Sequence, residues 1–268
     1  MPDADIQALL PTKKETLTKG TIANLQIASP GETDWINLLV YGDPGVGKTR
    51  LSGSAVLVPD MRPVLLLDFE GGTLSLAGDM REVDVIRPTS LREIDNVYGI
   101  LYDEMLYKTI VVDSLSELQK FLMQDIMREV VKKDPERDPD VAGIREWGKN
   151  GEQVRRFVRA FRDLPCNTIF TALADESKDE RSGVNRVRPA LPGKLKGEVA
   201  GYVDVVLYMY TRDVQVQGTK ERQIKSLVLT QGTERQVAKD RSGTLPLLIE
   251  TPTMQTIRDH MKGTGNEN

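Results

Sequence analysis

Short apolar runs alternate along this chain with longer segments whose apolar positions recur every three or four residues. Ile36 to Tyr41, Val64 to Asp68, Val83 to Ile86, Thr109 to Asp113 and Asn167 to Ala172 predict strands. Their near-continuous apolar character is that of strands covered on both faces. The segments between them read as helices. One runs from Lys48 to about Val56. Ser90 and Glu93, and again Ser114 and Glu117, stand at capping-box spacing. The first pair opens a helix with Leu91, Ile94, Val97, Leu101 and Met105 on one face; the second opens a helix towards Lys133. Pro135 and Pro139 then forbid helix across 134–140. A further helix, from about Gly151 to Leu164, buries Val154, Phe157, Val158 and Phe161 and turns Arg155, Arg159 and Arg162 to another side.

The pattern changes after residue 173. Residues 174–201 show no regular apolar spacing and read as a long loop. Val203 to Tyr210, Ile224 to Leu229 and Arg235 to Lys239 read as strands, the first two forming a hairpin through Gly218. Alternating strands and helices followed by such a hairpin predict a doubly wound α/β fold. Its sheet is mostly parallel, with antiparallel strands at the C-terminal side. Residues 1–33 are interrupted by Pro2, Pro11, Gly20, Pro30 and Gly31 and read as an arm or small cap. The core is expected over 34–262 and a disordered tail over 263–268.

Composition narrows the chemistry. The single cysteine, Cys166, excludes an internal disulfide, and the single histidine, His260, argues against a histidine triad or multi-histidine zinc site. No apolar run approaches 18 residues, and Met1 to Lys19 lacks the core of a signal peptide. The expectation is a cytoplasmic protein with no membrane partner. A net charge of −4 over 268 residues says little by itself.

Gly42-Asp43-Pro44-Gly45-Val46-Gly47-Lys48-Thr49 matches the phosphate-loop pattern G-x-x-x-x-G-K-[ST] at every fixed position, between a strand and a helix. Gly42, Gly45 and Gly47 let backbone N–H groups converge on phosphate oxygens, and the helix beginning near Lys48 adds its positive end. Lys48 can bridge the β- and γ-phosphates, and the Thr49 hydroxyl can ligate Mg²⁺. The expected ligands are ATP and Mg²⁺. Asp113 ends an apolar strand, where an aspartate approaches the metal or orients Thr49. Glu70, in Asp68-Phe69-Glu70-Gly71-Gly72, lies at the carboxyl end of another strand, where it can accept a proton from the water attacking the γ-phosphate.

A phosphate loop, a strand ending D-x-E-G and a later strand ending V-V-D-S together resemble the RecA-like ATPase core, from about Asn37 to Ile249. The resemblance implies that Glu70 is the catalytic base, and Ser114 beside Asp113, where AAA+ motors carry a glutamate, agrees. It also implies that Lys239 and Arg241, in Gln236-Val237-Ala238-Lys239-Asp240-Arg241, reach the γ-phosphate of a neighbouring subunit in a ring or filament. Within that superfamily the chain is similar to the phage-encoded, core-only Sak group of single-strand annealing recombinases. Residues 155–162, 188–194 and 238–241 carry that likeness. Cytoplasm then means that of a bacterial host, and a single-strand binding protein becomes an expected partner. One departure stands out. RecA places a polar sensor after the strand that ends here in apolar Ala172-Leu173-Ala174, leaving Thr171 and Asp175 as alternatives.

In RecA-like proteins the loop after this strand contacts single-stranded DNA. Arg181 to Gly197 holds Arg181, Arg186, Arg188, Lys194 and Lys196 with no acid and no aromatic residue, which suits backbone contact. The sequence therefore supports an ATP-hydrolysing, single-strand DNA-binding protein of recombination or strand annealing. Its rival is a nucleotide-dependent switch or assembly ATPase that meets a protein partner and no DNA.

Overall fold

A computed structural model describes residues 21–22, 25–26, 35–178, 183–215 and 222–263. The chain divides into two units, Met1–Asp34 and Trp35–Asn268. In the first unit β1 (Thr21–Ile22) pairs antiparallel with β2 (Leu25–Gln26). The rest of the expected arm, and the tail beyond Gly263, lie outside the described residues.

The second unit is built on β3 (Asn37–Gly42), β4 (Val64–Asp68), β5 (Asp84–Ile86), β6 (Thr109–Asp113), β7 (Asn167–Lys178) and β9 (Val205–Gln215). These run parallel in the order β9-β3-β7-β6-β4-β5. Beyond β9 the sheet continues antiparallel through β10 (Arg222–Leu229) and β12 (Leu248–Glu250). Two more antiparallel pairings leave the main path, β8 (Asn185–Pro189) on β7 and β11 (Lys239–Asp240) on β9. The expected doubly wound sheet, with antiparallel strands at its C-terminal side, is what the chain forms. The bridging residues of the hairpin around Gly218 lie outside the described residues.

The uniformly apolar strands have a simple cause. Leu39, Tyr41, Leu65, Leu67, Ile110 and Val112 enter one buried cluster, with α2 (Leu91–Asp103), α3 (Leu115–Lys133), α4 (Ile144–Arg162) and α5 (Leu195–Tyr202). Their alternates Leu38, Val40, Val64, Leu66 and Val111 enter a second cluster, with α1 (Lys48–Gly53), the short 3₁₀ turn Ser54–Leu57 and α6 (Met254–Met261). Period-two alternation sends successive side chains to opposite faces, and helices cover both. Each fully buried leucine among them contributes roughly 1.5–3 kcal/mol. A charge at Leu66 would disrupt the sheet.

Local rules set the helix starts. The hydroxyls of Ser90 and Ser114 accept the N–H groups of Glu93 and Glu117. The reciprocal arm of the first box reaches one residue further back, because the Glu93 carboxylate accepts from Thr89 N–H and hydroxyl.

Three expectations change. The helix placed from Gly151 begins at Ile144; its first two turns expose Ile144 and Trp147 and contain Gly148, so they lack an apolar face. The Glu146 carboxylate closes that start on the Gly143 N–H at 2.7 Å. The loop expected over 174–201 is instead an extension of β7, the strand β8 and the helix α5. The hairpin extends past the residues that pair β7 to the core, so alternation there marks no buried face. The strand expected over Arg235 to Lys239 shrinks to Lys239–Asp240. The Thr233 hydroxyl accepts the N–H groups of Arg235 and Gln236 and turns the chain instead.

Candidate functional site

The carboxyl ends of β3, β4, β6 and the core half of β7 converge on one edge of the sheet. The glycine-rich loop leaves β3 there. Gly47 has φ 109°, a left-handed conformation that a side chain would strain. Gly42 is constrained by proximity: a Cβ would collide with the carbonyl oxygen of Met209 on β9. The loop is further pinned by Ser226 of β10, whose hydroxyl donates to the Val46 carbonyl at 3.0 Å. The Lys48 ammonium donates to the carbonyls of Gly42 at 3.0 Å and Asp43 at 2.9 Å. Burial lowers the pKa of Lys48, while the negative charges of Glu70, Asp113 and Asp43 oppose that shift.

Asp113, 1% exposed, receives a hydroxyl on each carboxylate oxygen. Thr49 donates to Oδ2 at 2.6 Å, and Thr171 of β7 donates to Oδ1. The Asp113 carbonyl also accepts the N–H groups of Phe69 at 2.7 Å and Glu70 at 3.2 Å, tying the loop after β4 to the end of β6. Asp68 fixes that loop from the other side. It accepts from Gly71 N–H at 2.6 Å and from Arg87 at 2.8 Å, and Arg87 reaches Thr73 at 2.6 Å. Glu70 is exposed as a residue, but its carboxyl sits at the mouth of the site. Partial burial there and the Asp113 carboxylate raise its pKa, offset by Lys48 and a hydrogen bond with Ser114. A group held this way is easier to protonate than an ordinary glutamate.

Lys48, Thr49, Glu70 and Asp113 thus come together as the sequence placed them. Sequence reasoning missed the contributions of Asp68 and Arg87, which position the Glu70 loop, and of Ser116. The Ser116 hydroxyl accepts Leu173 N–H and donates to the Ala190 carbonyl, both at 3.0 Å, joining α3 to the base of the β7–β8 hairpin. Tyr41 was also missed. Its buried hydroxyl lies 2.8 Å from the Val237 carbonyl and 3.1 Å from that of Val187, and it accepts Val237 N–H at 3.0 Å. No local sequence signal marks it, since it reads as one more core residue of β3. Of the two sensor alternatives, Thr171 contacts Asp113 and Asp175 pairs with Lys196.

The basic residues are dispersed. Arg181 lies outside the described residues. Arg186 and Arg188 are half-buried on β8, and Lys194 is exposed at the start of α5. Lys196 is ion-paired with Asp175, so the acid-free character of the segment does not survive folding: β7 brings Asp175 opposite Arg188. The stripe Arg155, Arg159 and Arg162 is occupied as well. Arg155 pairs with Glu198 at 2.6 Å and Glu152 at 2.8 Å, Arg159 covers Tyr202, and Arg162 pairs with Asp163.

Lys239 and Arg241 stand at the opposite edge, beside the start of β3. Asn37 and Asp204 are bonded there, and Lys239 pairs in register with Val206. The Lys239 ammonium donates to the carbonyls of Ala200 at 2.5 Å and Val203 at 2.6 Å. Arg241 donates to the Gly201 carbonyl at 3.0 Å and to Asp204 at 3.3 Å. Both side chains reach the same helix end, as K-x-R spacing on an extended strand requires. Neither can touch the phosphate loop of its own chain.

The oxygen donors of Thr49 and Asp113 suit a hard cation that keeps most of its ligands from water and phosphate, as Mg²⁺ does. Among the described residues no group of three or more histidines, cysteines or carboxylates could hold a metal alone. No helix among them is long and apolar enough to cross a membrane. Residues 35–242 match the AAA domain family. A solved structure described as the RadB recombinase aligns at 15% identity with a TM-score of 0.42, over 80% of this chain and 86% of that one. No curated protein matches the sequence.

Proposed function

The chain belongs to the AAA domain family, and from that premise we propose that it is a RecA-like protein that hydrolyses ATP and binds single-stranded DNA. The observation that carries the reading is one bonded path. Thr49 holds Asp113, Asp113 is held by Thr171, and β7 runs from Thr171 into the hairpin bearing Arg186 and Arg188. One strand therefore joins the Thr49–Asp113 pair to the hairpin whose other strand bears Arg186 and Arg188.

The phosphate-loop N–H groups and the Lys48 ammonium would take the triphosphate. Thr49 and Asp113 would hold Mg²⁺, which supplies charge neutralisation at the phosphates when bound. Glu70, kept in place by Asp68 and the Asp113 carbonyl, would accept a proton from the attacking water. Lys239 and Arg241 would serve the γ-phosphate of an adjoining subunit in a ring or filament, since their own site is at the far edge. Similarity to the Sak group makes phage recombination or strand annealing in a host cytoplasm the setting we assign, with a single-strand binding protein as further partner.

The test is the ATPase rate of the purified chain with and without single-stranded DNA. Stimulation by DNA of mixed sequence supports the reading. A rate indifferent to DNA, with no DNA bound in the presence of ATP, leaves the nucleotide-dependent switch acting on a protein partner.

A further inference from the structure

One helix, α4, lines a cavity with its second half and exposes a tryptophan near its start. The cavity, about 360 Å³, opens between α2, α3 and α4. Ile94, Tyr98, Phe157 and Phe161 wall it, with the two phenylalanine rings stacked at 4.3 Å. Ligand sites span roughly 300–1,000 Å³, so this one is of a size for a single large side chain. Gln153 lines the cavity, and its Oε1 is buried with no hydrogen-bond partner among the described residues. A buried acceptor left unpaired is costly, and an N–H donor entering on an apolar body removes that cost. Two cations border the mouth on α4. Arg156 lines it, and Lys149 stands one turn before Gln153 on the same side of the helix. Both are exposed, and neither has an acidic partner among the described residues. Asp95 is the one acid among the lining residues.

The chain itself presents the matching group. Val141, Ile144 and Trp147 are 61%, 93% and 46% exposed around the start of α4. The Trp147 indole N–H has no hydrogen-bond partner among the described residues. The segment just before them, 134–140, holds Asp134, Glu136, Asp138 and Asp140 against Arg137, a net charge of −3. Arg137 reaches Glu146 at 3.6 Å, which keeps this acidic segment beside the first turn of α4. Such acids repel a phosphate backbone and suit the cations at the cavity mouth. Trp147 does not serve the cavity of its own chain. Gln153 is six residues on, about 9 Å along the helix axis and about 120° round it.

We propose that Trp147 of one chain inserts into the α2–α4 cavity of a second copy, its indole N–H donating to Gln153 Oε1 and its acidic flank meeting Lys149 and Arg156. The tryptophan and the cavity point in different directions, so the contact is head-to-tail, and repeating it gives a ring or a filament. An aromatic anchor in a desolvated pocket bordered by complementary charge has the form of an interface hot spot. The contact deepens the ring or filament reading above, on which it rests, and requires neither nucleotide nor DNA.

The chain has two tryptophans, so the full-length Trp35→Phe protein reports on Trp147 alone. Its mass by light scattering and its tryptophan emission are followed as concentration rises, with and without ATP. Emission should shift to the blue along the mass curve, as the indole leaves water. Trp147→Ala should weaken assembly by about 30-fold or more, the threshold of a hot spot. Gln153→Leu should weaken assembly of the Trp147 protein and leave that of Trp147→Phe unchanged, because phenylalanine offers no N–H. Ala160→Phe fills the cavity from its own wall and should also prevent assembly. Mixed in equal amounts, Trp147→Ala and Ala160→Phe chains should form pairs and nothing larger, since each keeps one working half. Assembly with Trp147 emission unmoved, and Trp147→Ala as competent as wild type, overturns this contact and leaves the ring or filament to another surface. A wild-type chain that is monomeric at every concentration, with and without ATP, overturns the contact and that reading together. A monomer whose Trp147 emission moves only when oligo-dT is added also overturns the contact and assigns the tryptophan to single-stranded DNA.

Discussion

The two edges of the central sheet both carry basic side chains, and the two sets differ in what they already hold. At the phosphate-loop edge Arg145, Lys149 and Lys194 are exposed to solvent with no acidic partner among the described residues. At the other edge Lys239 and Arg241 are spent on the end of α5, donating to three carbonyls and one carboxylate. Counting charges along the sequence cannot separate these sets. The difference decides which cations are available to a ligand and which must first give up a partner. Burial lowers the pKa of Lys239, with Arg241 adding to the shift, so its charged form is less favoured there than on an exposed lysine.

The largest effect that tests this contrast is at the loop edge itself. Glu70→Gln is expected to lower kcat by about 10²- to 10⁴-fold while ATP still binds, because an amide cannot accept the proton. The pH profile sharpens the point. Glu70 must be ionised to act, and burial with the Asp113 charge raises its pKa, so kcat falls as pH drops through a value above the ordinary glutamate range. That acid limb should vanish in Glu70→Gln. An unchanged kcat would remove Glu70 from the mechanism.

Lys48→Ala comes next, with ATP binding weakened by about 100-fold, because the phosphates lose a charge-assisted hydrogen bond at a desolvated site. Calorimetric titration measures it, and a dissociation constant equal to wild type would show that the backbone alone holds the phosphates. The far edge is tested by mixing. If Arg241 acts on a neighbour, Arg241→Ala and Lys48→Ala subunits combined in equal amounts rebuild about a quarter of the composite sites. Activity no greater than the sum of the separate proteins would mean that each site is complete within one chain.

The smallest effect compares the edges directly. Lys239→Ala should cost about 1 kcal/mol of folding stability, since two carbonyls lose their donor. Lys194→Ala should stay within roughly 0.5 kcal/mol, as an exposed lysine with no acidic partner among the described residues. Denaturant midpoints at equal m-values give both numbers, and equal costs would erase the distinction between the edges.

Legibility in the sequence followed the range of the interactions. The strands through Ala172, the edge strand β5 apart, were readable because both faces are buried and each residue reports its own environment. The phosphate loop, Asp113 and Glu70 were readable because their chemistry is local to a strand end. The segment after Leu173 was not. Its pairing with β8 lies beyond the core, so neither apolar alternation nor a capping pattern marks it, and Asp175 meets Lys196 only after a hairpin and a helix start have formed. Tyr41 shows the same limit from inside the core. Its position is obvious from the pattern, but its partners Val187 and Val237 lie about 150 and 200 residues away in sequence.

One strand of this molecule belongs to two cooperative units. The first half of β7 is locked between β3 and β6 through residues Asn167 to Leu173, whereas the second half, Ala174 to Lys178, is bonded only to β8 among the described strands. Ser116 and Ala190 clamp the boundary at Leu173. Opening the outer half breaks the antiparallel ladder with β8, the bonds of Val187 to Tyr41, Arg235 and Val237 and the Asp175–Lys196 pair, but leaves the parallel sheet paired, so its free energy lies below that of global unfolding. The basic hairpin can therefore rearrange around a ligand without loosening the strand that holds Thr171 against Asp113.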